Sequence, residues 1–227
     1  MPPWTEEGEA ERLLQIFFAC AKIGAIVTLL NFAYTSAELK HALSSTKAKL
    51  LITTIRSGKY DYFSILKSLE HNLTSLKKVV LLPNISSYDV TPPPSSYFCK
   101  YSDLIDQGSR TPRDWRAIES EISCPDILNL QFTSGSTGAP KAAALTHSGL
   151  INSATYIGQN LGIESRDKIV IPVPLFHAFG LIMGKGSNSL SRSRLLTRCR
   201  TVYNICGWCH RSSTFRVLRC WTSTTSS

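Results

Sequence analysis

Short apolar runs separated by amphipathic stretches constrain this chain more than any other feature. The runs are AIVTLL at 25–30, KLLITT at 49–54, KKVVLLP at 77–83, DILNLQF at 126–132 and DKIVIPV at 167–173. Each is too short for a buried helix and is rich in the branched residues that suit a pleated, covered surface. Between them the pattern turns helical. Residues 9–23 place Leu13, Leu14, Phe17, Phe18 and Ala21 on one packed side, and Gly24 breaks the helix before the first run. Thr35-Ser36-Ala37-Glu38 is a capping-box pattern, in which the Thr hydroxyl takes an orphan helix N–H and the Glu reaches back. That helix is expected to reach about Ala42. DYFSILKSLEHNL, YSDLIDQG and a segment capped by Thr146 supply three more helices, while NISSYDVTPPPSSYF reads as a Pro and Ser loop. Helices alternating with near-continuous apolar strands predict an α/β fold, with a mostly parallel sheet and flanking helices.

Charge divides the chain in two. Of 25 Lys and Arg, eight fall in residues 185–227, which hold no Asp or Glu; residues 1–184 keep the other 17 and all 16 acids, a balance of +1. The net +9 therefore belongs to the tail, and a nucleic-acid partner, which basic character would attract, could rest only on SRSRLLTRCR at 191–200. Arg-rich strings of this kind are more often solvated or disordered. The tail also holds four of the seven Cys and fifteen Ser or Thr, without sustained periodicity. Such a change of composition fits an alternative exon, a frame change or a gene-model error, the competing reading being a small basic module. Two regions follow, 1–184 and a divergent tail at 185–227.

Within the tail, CGWCH at 206–210 satisfies the spacing for covalent haem and contains a C-x-x-C pair. The strand and helix start that a redox pair needs do not surround it. Cys199 and Cys220 lie at spacings unfamiliar for zinc. Incidental thiols are the preferred reading, and no metal site is assigned. At the other end, Leu13 to Leu30 is dense in apolar residues but interrupted by Gln15, Lys22 and Gly24 and preceded by four Glu, which fits neither a membrane span nor a signal peptide. Compartment is left at cytoplasm by default.

The chemistry concentrates in TSGSTGAPK, Thr133 to Lys141, directly after a strand. Open α/β sheets place ligands there. Gly135 and Gly138 allow close backbone approach, Thr133, Ser134, Ser136 and Thr137 offer hydroxyls, successive N–H groups can form an anion nest, and Lys141 adds a positive charge. Together they read as a phosphate clamp. It is not a Walker A loop, because Ala139 and Pro140 separate Gly138 from Lys141 and Ala142 follows. Downstream, PLFHAFG at 174–180 sets His177 between Phe176 and Phe179. Alone, that histidine would read as a satisfied core residue.

FTSGSTGAPK at 132–141 closely resembles the phosphate-binding signature of the adenylate-forming (AMP-dependent synthetase/ligase) superfamily. PLFHAFG resembles a segment of its fatty acyl-CoA synthetases, and residues 19–43 resemble the region where AKxGA leads to NPxY, with Phe32 in place of the usual Pro. DILNLQFTSGSTGAPKAAALTH has the flavour of the medium-chain fatty acyl-CoA ligase branch, and the likeness covers roughly residues 10–184. The resemblance implies a partial N-terminal portion of that fold, with ATP phosphates held by Thr133, Ser134, Gly135, Ser136, Thr137, Gly138 and Lys141. It places Phe176, His177 and Gly180 at the acyl and adenylate pocket. The implied reaction adenylates a fatty acid with ATP and Mg2+ and then forms a thioester with CoA; by family, a mitochondrial or peroxisomal location is compatible. The sequence shows no Y-G-x-T-E segment, no ribose-binding Asp in its usual motif and no acid beyond Asp167. A truncated, inactive fragment with a phosphate side only is the resulting expectation, with a regulatory partner or a basic nucleic-acid-binding product as alternatives.

Overall fold

A computed structural model describes residues 7–57, 59–83, 96–111, 113–133, 140–163, 168–170, 173–186, 194–196 and 215–217. Helix α1 (Glu7–Lys22) leads through Gly24, held at φ +69°, into strand β1 (Val27–Leu29). Helix α2 (Ser36–Ser45) starts at the expected box: Thr35 Oγ1 accepts the Glu38 N–H at 3.3 Å, and Glu38 accepts the Thr35 N–H at 2.8 Å. It runs three residues beyond the expected end, and Thr46 closes it by donating to the Ala42 carbonyl.

Strand β2 (Leu50–Thr54) pairs parallel with β5 (Lys78–Leu82), which pairs parallel with β6 (Phe98–Lys100). Central β5 is buried on both faces at Val79, Val80 and Leu81, which explains its unbroken apolar run. A two-residue hairpin, β3 (Arg56–Ser57) and β4 (Tyr60–Asp61), precedes helix α3 (Tyr62–Leu69). Leu39 and Leu43 of α2, Leu66 and Leu69 of α3, and Val79 and Leu81 of β5 share one core. The stretch expected to be loop up to Phe98 ends instead as β6, since Phe98 and Tyr97 are buried in that core. Residues 84–95 of that stretch lie outside the described residues.

Helices α4 (Tyr101–Arg110) and α5 (Trp115–Ser120) follow. The second was not anticipated; Asp114 caps it by accepting the N–H groups of Arg116 and Ala117. Strand β7 (Ile127–Thr133) then lies parallel to β1 and antiparallel to β8 (Lys141–Thr146), in the order β1–β7–β8. Leu14 and Phe17 of α1 pack with Leu29, Leu128 and Leu181 to form the second core. Helix α6 (His147–Asn160) begins at Thr146, whose Oγ1 accepts the Gly149 N–H at 3.0 Å, as the sequence led us to expect. Strand β9 (Lys168–Val170) pairs parallel with β10 (Arg194–Leu196) and β11 (Phe215–Val217). A π-helical segment, Phe179–Gly186, follows the PLFHAF turn. The fold is mixed α/β with mainly parallel pairing. Among the described residues no helix is long and apolar enough to cross a membrane.

Candidate nucleotide and acyl site

Strand β7 carries the site. Side chains alternate across a strand, so Asn129, Gln131 and Thr133 share one face while Leu128, Leu130 and Phe132 take the other. Thr133 ends the strand and pairs in register with Lys141, the first residue of β8; its Oγ1 donates to the Lys141 carbonyl at 3.4 Å. In an antiparallel ladder, directly opposed side chains lie on the same face. Thr133 and Lys141, both exposed, therefore flank the mouth of the glycine-rich loop from the same side. The strands on either side of the loop pair antiparallel; the sequence had shown the strand before it and missed the strand after it. Ser134, Gly135, Ser136, Thr137 and Gly138 lie outside the described residues.

Further down that face the polarity goes inside. Asn129 is 0% exposed and Gln131 is 5% exposed, two buried polar side chains among the apolar residues of the strand. Asn129 Nδ2 donates to Gln131 Oε1 at 3.3 Å, and Gln131 Nε2 donates to the Phe176 carbonyl at 2.6 Å. The second contact joins strand β7 to the PLFHAFG turn. Neither residue had been singled out from sequence. Polar residues at alternate positions of DILNLQF were the available signal.

The turn is held from several directions. The Phe176 ring tilts against Phe32 at 5.8 Å between centroids, and Phe32 meets Tyr60 edge-on at 6.3 Å. Phe32 thus links the turn to the β3–β4 hairpin. Its carbonyl accepts the Tyr62 hydroxyl at 2.6 Å. Tyr34 meets Phe132 edge-on at 6.4 Å, and burial, followed by the nearby Glu38 charge, pushes its phenol pKa up.

His177 is exposed, and its backbone N–H donates to the Pro174 carbonyl at 3.1 Å. Its Nδ1 accepts the Phe179 N–H at 3.2 Å, so the neutral ring carries its proton on Nε2 and can donate from there. Gly180 is buried, and a Cβ there would lie 2.5 Å from the Pro174 carbonyl oxygen. Only glycine lets the chain pass that carbonyl without a shift. Gly180 is thus a packing requirement of the turn, a role the sequence did not disclose.

Asp103, Asp106, Gln107, Arg110 and Thr111 line a shallow surface hollow on α4 that shares no residue with the site. Among the described residues, no group of three His, Cys, Asp or Glu could hold a metal ion. Cys20, Cys99 and Cys124 are free thiols, and burial raises the pKa of Cys20. The Cys206 to His210 pattern lies outside the described residues.

Residues 11–186 match the family described as AMP-binding enzyme. The chain belongs to that family. Among curated relatives it is 40% identical over 178 residues to the acyl-CoA ligase SID4 of Ajellomyces capsulatus, covering 78% of this chain and 30% of that protein. It is 32% identical over 176 residues to the mitochondrial medium-chain acyl-CoA ligase ACSF2 of Danio rerio, covering 74% of this chain and 29% of that protein. The chain thus spans about 30% of the length of these curated relatives. Its fold is similar to that of the anthranilate CoA ligase AuaEII in complex with anthranoyl-AMP, with a TM-score of 0.68 at 23% identity over 86% of this chain and 35% of that one. ATP-bound MatB from Rhodopseudomonas palustris gives a TM-score of 0.62 at 15% identity, over 92% of this chain and 37% of that one. Both likenesses concern the fold.

Proposed function

We propose that these residues form the phosphate-binding side of an ATP-dependent acyl-CoA ligase, with a fatty acid of medium chain length as the carboxylate substrate of the family-length protein. The observation that carries the reading is the in-register pairing of Thr133 with Lys141 on either side of the TSGSTGAPK loop. Ligase names among the relatives support the reaction class, and the resemblance to ACSF2 supports the chain length.

In this reading a carboxylate attacks the α-phosphate of ATP, giving acyl-adenylate and pyrophosphate, and the CoA thiol then displaces AMP. Lys141 and the loop amides, with the hydroxyls of Thr133, Ser134, Ser136 and Thr137, hold the charge that develops on the leaving pyrophosphate. Gly135 and Gly138 let the backbone approach it. Magnesium, where the nucleotide brings it, would neutralise phosphate charge beside Lys141, and the loop itself offers hydroxyl and amide groups but no carboxylate to hold it. Phe176 and the exposed His177 border the acyl and adenylate region, and Gly180 sets the path of their turn. The family match ending at residue 186 supports a boundary near 184.

For the residues that match the family, the proposal is recognition of the phosphate end of the nucleotide, the part that the loop and Lys141 can meet. Calorimetric titration with ATP, GTP and pyrophosphate tests this. Affinities within a few-fold of one another are expected, because the recognised part is common to all three. A strong preference for ATP over GTP and pyrophosphate would contradict the proposal.

A further inference from the structure

We propose that Gln131, oriented by Asn129, is a positioning residue that ties the PLFHAFG turn to the phosphate-loop strand and sets the hydrogen-bonding state of His177.

Two buried amides in a strand core need a reason, because an unpaired amide there costs more than an apolar residue of the same size. The reason lies in direction. An amide can turn either its oxygen or its NH2 toward a neighbour, and only NH2 can donate to a carbonyl. Asn129 Nδ2 donates to Gln131 Oε1 at 3.3 Å, which pins that oxygen and leaves Gln131 Nε2 to donate to the Phe176 carbonyl at 2.6 Å. With 45 residues of separation, that contact is a tertiary tie. Together with the His177 N–H, which donates to the Pro174 carbonyl at 3.1 Å, it fixes the peptide between Phe176 and His177. The Phe176 ring is fixed independently against Phe32.

His177 follows at once. Its carbonyl accepts the Leu181 N–H at 3.1 Å, and its Nδ1 accepts the Phe179 N–H. Rotation of the 176–177 peptide would carry the imidazole away from Phe179 and release the tautomer. On the other side of Gln131, two residues along the same face, stands Thr133 opposite Lys141. One face of β7 therefore reaches both the phosphate-loop mouth and the histidine turn. The consequence for ligand binding rests on the function proposed above; the positioning of His177 does not.

The test uses 15N NMR of the full chain, reading the His177 imidazole nitrogens and the hydrogen exchange of the Phe179 amide. In Gln131→Met, which keeps volume and removes the donor, the Nδ1 acceptor signature of His177 is expected to be lost, and Phe179 exchange to quicken about tenfold. Asn129→Leu is expected to move the same signals in the same direction by a smaller amount. Val79 and Val80 amides, in the β2–β5–β6 sheet, are expected to stay unmoved, which separates positioning from general loosening. Should Gln131→Met fail to fold, Gln131→Asn is the second variant: its NH2 is one methylene short of Phe176, and the same loss is expected. Unchanged His177 and Phe179 signals in a folded variant of Gln131, or equal shifts at Val79 and Val80, would overturn the proposal. ATP titration of the same samples tests the other reading separately. Shifted His177 signals in a protein that binds no ATP would support positioning while removing the nucleotide role.

Discussion

Lys141 stands directly across the β7–β8 ladder from Thr133, and the Thr133 hydroxyl donates to the Lys141 carbonyl at 3.4 Å. The pairing puts the cation at the base of the loop, on a strand, where its backbone is held by the sheet. A lysine on a strand next to a glycine-rich loop has its stem anchored and only its side chain to order when an anion arrives, which lowers the entropy cost of binding.

Gly180 is expected to tolerate no side chain. In Gly180→Ala the new Cβ would meet the Pro174 carbonyl oxygen at 2.5 Å, and backbone cannot yield as a flexible side chain does. A loss of about 1–3 kcal/mol is expected in denaturant unfolding, as for other overpacked sites. Gly108 has open space around its Cβ position and serves as the control, with Gly108→Ala neutral or slightly stabilising. Equal midpoints for Gly180→Ala and wild type would contradict the close approach.

Thr35→Ala removes one half of the α2 capping box and leaves the Glu38 N–H without its side-chain acceptor. About 1 kcal/mol of stability should be lost. Thr35→Ser keeps the hydroxyl and should retain most of it, a comparison that thermal unfolding reads directly.

Much of this architecture was legible because its causes are local. The Thr35–Glu38 box, the Thr146 cap and the apolar run of β5 each state their structure within a few residues. Strand β8 was not legible, since KAAALT has weak strand preference and is extended because it pairs with β7. Strand β6 is three residues long and is decided by burial of Phe98. At the candidate site, Thr133, Lys141 and His177 are proposed from residue type and motif. Gln131 and Asn129 act through a contact 45 residues away, and Gly180 through a clash that only coordinates reveal.

Acid should weaken the fold through three carboxylates. Glu38 is held below its ordinary pKa by the Thr35 N–H and hydroxyl, Asp61 by the Ser64 N–H and then Arg56, and Asp126 by the Ser123 N–H and hydroxyl. A carboxylate with a lowered folded-state pKa binds its proton more readily when unfolded. Its contribution is complete above the unfolded pKa, about 4, and is lost as pH falls through the lower folded value. Unfolding midpoints should therefore be flat from about pH 6 to 5 with respect to these groups and fall below about pH 4. Asp126→Asn should flatten part of that fall; a midpoint that drops as steeply would show that Asp126 does not contribute.

The most direct measurement is the affinity of the 227-residue chain for ATP with and without the Lys141 charge. If Lys141 and the loop form a phosphate clamp, Lys141→Met should weaken ATP and pyrophosphate binding together, roughly ten- to a hundredfold, as expected for a lost hydrogen bond to a charged group. Its circular dichroism and unfolding midpoint should match wild type, since the side chain is exposed. Unchanged affinity in Lys141→Met, or a wild-type chain that binds neither ligand, would contradict the account.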